Sequence, residues 1–402
     1  GEAGRYTDLA TGLENLAEVA ASIESATISE MGLVDVAGDI AMAGSGHQGD
    51  VLTPALEDSQ GKTISVEGIQ SIAKDIWKAI KEFVKKVWKL VETFFHNIFG
   101  ALPRLRKSLV ALKDRAANYA DKSIEESKTE VGSVINPLVV ANVAPANAKA
   151  IETTLVTISE SIEAMFDKYT DAIIDRGEVI KKGFKNYKPS KDWTEQQHAD
   201  AVASMYDYKD DWSKIVAAFG AKVVKSPGHR FSDEVTVHAT DIGGNLSIFI
   251  QSPSSEAKER FTLGGAENAR QRTLRIMSTF EKSKDAIDEH DMTTMSTSDI
   301  ASIIDRCIDI VDGVEGWERG KNIAKIKGLV GDIESGGDVL SKATAKLDDV
   351  SNAIRAYPKA AQGFSRAFTE WTGEPYLSVV KHSLASVRAA VSVCNKSLSN
   401  YK

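Results

Sequence analysis

Cysteine is nearly absent: the 402-residue chain has two, Cys307 and Cys394, neither with a CxxC partner. That argues against a disulfide framework, and two small apolar core residues is the simpler reading. The seven histidines, at 47, 96, 198, 229, 238, 290 and 382, show no HExxH or other tight ligand spacing. No metal site and no cofactor are therefore expected. The glycine pairs at 243–244, 264–265 and 336–337 lie outside any GxxxxGK[ST] or GxGxxG pattern, so no phosphate cradle is expected. There is no GxSxG elbow, no cysteine-protease signature and no residue that can be named as catalytic, so the chain is expected not to be an enzyme. Nor is there a run of ~18 uninterrupted apolar residues, so no segment reads as a membrane span. The start at Gly1 shows no secretory pattern.

What is present is a large apolar fraction, 42%, enough for a substantial core. The net charge of −8 is unevenly placed. Residues 1–65 hold eleven acids against Arg5 and Lys62, a net −9, which leaves +1 for the remainder. A body so close to neutral does not coat nucleic acid.

Ser71 to Gly100, SIAKDIWKAIKEFVKKVWKLVETFFHNIFG, is the most structured-looking run. Ile69, Ile72, Ile76, Ile80, Phe83, Val87, Leu90, Phe94 and Ile98 recur at steps of three or four and define one helical face. Trp77, Val84, Trp88, Val91 and Phe95 widen that face to roughly 160° at ~100° per residue. Lys74, Lys78, Lys81, Lys85 and Lys89 form a narrow stripe opposite. Such a helix is a core beam, an interfacial membrane helix or a nucleic-acid arm. A core beam fits best, because burying that row at ~1.5–3 kcal/mol per side chain is sufficient reason for its pattern. Gly100 is expected to end the helix and Pro103 to open a second, giving a helical hairpin.

The rest of the chain reads as mainly α, one or more multi-helix bundles with a small antiparallel β-hairpin or three-stranded insert. An acidic helical segment and linker cover 1–64, with Leu9, Leu13, Leu16, Val19 and Ile23 on one face. A bundle built on the beam covers 65–190, including a long helix from about Pro145 to Lys182. Residues 191–255 hold a helix and the insert, in which DEVTVHAT and NLSIFIQS flank the turn signal DIGGN and AKVVK adds a third strand. A C-terminal helical bundle covers 256–402.

The segment IWKAIKEFVKKVWKLVETFFHNIFGALPRLRKSLVALKDRA, with its Lys/Trp/Phe helix running into a Pro-Arg turn and a basic helix, resembles the internal head proteins of phiKZ-like giant tailed phages. The ending LASVRAAVSVCNKSLSNYK is similar to that family's last helix, closing on Ser-Leu-x-x-Tyr. The resemblance implies a virion protein packaged inside the capsid as a propeptide-bearing precursor, trimmed by the prohead protease after small-x-Glu. It also implies passage through the host cytoplasm during assembly, and ejection with the DNA. Gly1 is then expected as the mature N-terminus. Ser22-Ile23-Glu24, Ala55-Leu56-Glu57 and Ser65-Val66-Glu67 are further small-x-Glu sequences, of which Ser65 and Glu67 sit best, at the junction of acidic region and beam. The implied partners are other head proteins, packaged DNA by proximity and the protease. The alternatives are an ejected effector that meets a host protein or membrane, and an enzyme without a recognisable motif.

Overall fold

The computed structural model describes residues 66–186, 192–194, 197, 211–224, 231–254, 272–280, 285–319, 322–344, 368 and 371–402. The acidic helices expected before residue 65 lie outside them, as do Gly1 and Ser65. Helix α1, Val66–Ala117, is continuous through Gly100 and Pro103, which corrects the expected break and hairpin. Trp88, Phe95, Leu102, Leu109 and Ala116 are buried at intervals of seven, as are Val91, Ile98, Leu105 and Leu112 between them. That seam keeps one phase across the glycine and the proline, and a coiled-coil partner rewards continuity. Pro103 and Gly100 are both exposed, so the hydrogen bond that proline removes is lost on the solvent side, where its cost is least.

Strand β1, Lys128–Glu130, leads into a 3-10 helix at Gly132–Leu138. Helix α2, Ala148–Ala164, starts where the Asn147 carboxamide caps the Ala150 amide. It passes through a π turn, Met165–Tyr169, directly into α3, Thr170–Asn186. Helix α4 is Asp211–Ala218. Strands β2 (Lys222–Val223), β3 (Val235–Gly243), β4 (Leu246–Pro253) and β5 (Thr273–Ser278) form one antiparallel sheet in that order. The insert thus has a fourth strand: Thr273–Ser278, expected to be helical, pairs with β4, with Leu274 opposite Ile250 and Ile276 opposite Ile248. Strand β6, Asp291–Thr293, pairs with β1. Helices α5 (Thr297–Arg319), α6 (Asn322–Thr344) and α7 (Glu374–Leu398) complete the described elements.

Helices α5 and α6 run antiparallel to α1 in one register. Lys113 meets Asp305 at 2.7 Å, Arg106 meets Asp312 at 2.8 Å and Lys327 meets Glu92 at 2.7 Å. Seven residues along α1 answer to seven along α5, and the next fourteen to fifteen. The line α2–π–α3 lies alongside α5–α6 in the parallel sense, through Glu152 with Arg306 and Lys181 with Asp332. Near Gly177 the two lines approach closely, since a Cβ there would stand 2.7 Å from Leu329 Cδ1. One apolar core joins α1, α2, α3, α5, α6 and α7 with one face of the sheet, Ile242, Ile248, Ile250 and Leu274. Val235, Val237 and Phe249, on the opposite face, form a second small core.

Candidate functional site

The residues singled out on the long helix fall in three groups. Trp88 and Phe94 are buried, Phe94 completely, and Lys85 and Lys89 are exposed. Ile76, Trp77, Ile80, Phe83 and Val87, and Lys74, Lys78 and Lys81, belong to α1, but their side chains lie outside the described residues. Glu67 is in its first turn. With Trp88, Phe94, Phe95 and Ile98 all inside the bundle, the described part of the helix offers no apolar face to a membrane. Among the described residues one helix, α7, is long and apolar enough to cross a membrane, and 67% of its apolar window is buried in the bundle.

Where α1, α5, α7 and the π turn meet, aromatic rings form a continuous stack. Phe95 touches Trp317 at 4.6 Å between centroids, Trp317 stacks on Phe166 at 4.9 Å and on Tyr376 at 4.8 Å. Tyr169 joins Tyr376 to Trp212, and Trp212 lies 6.1 Å from Trp371. Phe166 and Tyr169, three residues apart on the π turn, are both buried. Thr170, just after it, donates to the Met165 carbonyl at 3.0 Å and lies 2.8 Å from the Tyr376 hydroxyl. Burial pushes the phenols of Tyr169 and Tyr376 above their ordinary range. Arg176 is buried against the faces of Trp212 and Trp371, at 5.0 and 5.6 Å. This is an aromatic centre around one buried guanidinium, and its Tyr169 and Tyr376 hydroxyls are hydrogen-bonded to the Trp371 carbonyl and to Thr170.

The turn between β3 and β4 is tightly specified. Gly243, Gly244 and Asn245 have φ of 86°, 63° and 53°, and the facing loop holds Ala141 and Asn142 at 49° and 63°. The two asparagines clasp each other: Asn245 Nδ2 donates to Asn142 Oδ1 at 3.0 Å, and the Asn142 amide donates to Asn245 Oδ1 at 2.8 Å. The Asn245 amide donates to the Val139 carbonyl and its own carbonyl accepts from Thr279. Underneath, His382 of α7 is buried, its Nε2 2.8 Å from the Ile242 carbonyl.

The chain's last turn is a clasp of a different kind. Ser397 Oγ accepts from the Met295 amide at 2.8 Å, while the Tyr401 hydroxyl donates to the Met295 carbonyl at 2.8 Å. Leu398 between them is buried. The Ser-Leu-x-x-Tyr ending therefore grips both backbone groups of one residue. Asn400 adds bonds to the Lys128 carbonyl and to the hydroxyls of Thr129 and Thr294.

Chemically reactive groups do not converge among the described residues. Among the described residues no group of three or more His, Cys, Asp or Glu is placed to hold a metal ion. Cys307 and Cys394 are buried and free, and burial raises both thiols well above the range in which a thiolate forms. Asn142 and His382 carry no signal in the sequence, and they, like Asn245 of the turn signal and Ser397 of the ending, act through partners far away in the chain. The DIGGN signal marks the turn, not its socket.

No curated protein and no solved structure matches the chain. The family model of phiKZ-like phage internal head proteins matches it from residue 2 to residue 396, nearly its whole length. The chain belongs to the family of phiKZ-like phage internal head proteins.

Proposed function

We propose that this protein acts as a non-enzymatic packing protein inside the phage head, held there by contacts with other head proteins. The match across residues 2–396 carries the reading, since it places the bundle, the sheet and the acidic N-terminal region in one head-protein family. A core of stacked aromatics and buried thiols supports a structural role. So does the charge, because a body near +1 adds little to the neutralisation of packaged DNA. The chain is assembled in the host cytoplasm as a propeptide-bearing precursor and is trimmed by the phage protease. Glu67 is the best placed of the small-x-Glu positions, because cleavage there separates the acidic region from α1 within its first turn. Ejection with the DNA is part of the same proposal, and a place inside the capsid is its precondition.

The test is peptide mass spectrometry of purified particles before and after DNA release. The protein is expected in intact heads and depleted from emptied ones, with N-terminal peptides starting after Glu24, Glu57 or Glu67. Its absence from purified particles overturns the proposal; its presence with no such termini removes cleavage at these three sites alone.

A further inference from the structure

His382 has no role in the proposed packing function, yet its side chain reaches from α7 to the backbone of the β3–β4 turn. Its ring lies under the turn so closely that a Cβ on Gly244 would stand 3.1 Å from Cε1 and 3.6 Å from Nδ1. A carbonyl only accepts, so Nε2 carries the proton that bonds Ile242, and Nδ1 is the unprotonated nitrogen. Ser386 Oγ, 3.5 Å from Nε2, donates to the Pro137 carbonyl and so ties the same helix to the 3-10 helix Gly132–Leu138.

We infer that His382 is an acid-sensitive latch: neutral, it holds the β3–β4 turn on α7, and a proton added at Nδ1 releases that turn. Among the described residues, Ile242, Gly243 and Gly244 of the turn and Ser386 of α7 lie against the ring, and the Pro137 carbonyl and Thr154 lie against the same turn; none of these carries charge. The nearest charged residues along those elements are engaged elsewhere or point outward. Asp241 accepts from Ser247, Glu152 pairs with Lys149 and lies 3.7 Å from Arg306, Arg388 is exposed, and Lys381, itself a cation, supplies no counter-charge. The 3-10 helix Gly132–Leu138 has no charged residue at all. Among the described residues an imidazolium would therefore be buried with no counter-charge.

Burial accordingly lowers the pKa of His382, opposed only in part by the bond to Ile242. In the released state the ring returns to the ordinary range near 6.5. The released state thus binds a proton that the latched state refuses, so latching is complete above about 6.5 and weakens as the pH falls below it. The left-handed Ala141 and Asn142 add to the tendency to open, since such conformers persist only while surrounding contacts hold them.

Amide hydrogen exchange on the full chain between pH 7 and 5, corrected for intrinsic rates, tests this. The Asn245 and Thr279 amides are expected to lose protection by up to about tenfold per pH unit below 6.5, while α5 amides such as Ile304 keep theirs. His382→Gln, which can still donate to Ile242, is expected to abolish the pH dependence. Flat protection in the wild type, a slope that survives in His382→Gln, or parallel loss in α5 overturns the latch. If the variant does not fold, the wild-type imidazole resonances decide. Titration of His382 together with the loss of protection supports the latch; titration near 6.5 with protection unchanged refutes it.

Discussion

At Gly243 the fold tolerates no side chain. Its φ of 86° is a region that L-residues avoid, and a Cβ would stand 2.8 Å from Thr154 Cγ2 and 3.2 Å from the Pro137 carbonyl. The backbone cost of ~1–2 kcal/mol adds to an overpacking cost of ~1–3 kcal/mol. Gly243→Ala is expected to lower the unfolding free energy by about 2–5 kcal/mol, read from denaturant midpoints. Ser397 makes a similar case from hydrogen bonding. Ser397→Ala leaves the Met295 amide buried without its acceptor, and a loss of about 1–3 kcal/mol is expected by the same measurement. An unchanged midpoint would mean that another group takes Met295, and that the ending Ser-Leu-x-x-Tyr is not a clasp.

Between elements, the ion pairs set register more than they set stability. Lys113 and Asp305 are 41% and 51% exposed, so their pair contributes well under about 1 kcal/mol. Reversal is more informative than deletion. Lys113→Glu, facing Asp305, is expected to destabilise by up to about 1 kcal/mol and the double exchange Lys113→Glu with Asp305→Lys to restore most of it, which thermal melts of the four proteins would show. Failure of the double exchange would contradict the antiparallel register. The seam behind those pairs was legible in the sequence. Trp88, Phe95, Leu102, Leu109 and Ala116 keep a seven-residue interval through Gly100 and Pro103, and that phase outweighs both breakers. The punctuation residues were misread because their effect depends on which side of the helix they occupy, and both face solvent. Thr273–Ser278 hid as a strand because six residues with Arg, Leu and Met satisfy either period. The socket of the β3–β4 turn was illegible for another reason: Asn142 and Asn245 are 103 residues apart, and no local pattern links them.

For the molecule as a whole, charge placement decides what the bundle can bind. Helix α1 holds eleven Lys and Arg against five acids, yet Arg106 and Lys113 are answered by Asp312 and Asp305 of α5. The helix is thus partly neutralised inside the fold, and residues 1–65 add −9 to the same chain. Binding along phosphates draws its affinity from counterions released by a basic surface, and a chain of net −8 has little to release. The full chain is therefore expected to bind duplex DNA more weakly than ~10⁻⁴ M near ~0.15 M salt, below the usual range for non-specific binders. Fluorescence anisotropy with a labelled duplex over a salt series measures this. A micromolar affinity that falls steeply with salt would show a basic surface strong enough for DNA condensation, and would move the proposed role from packing against head proteins to packing against the genome.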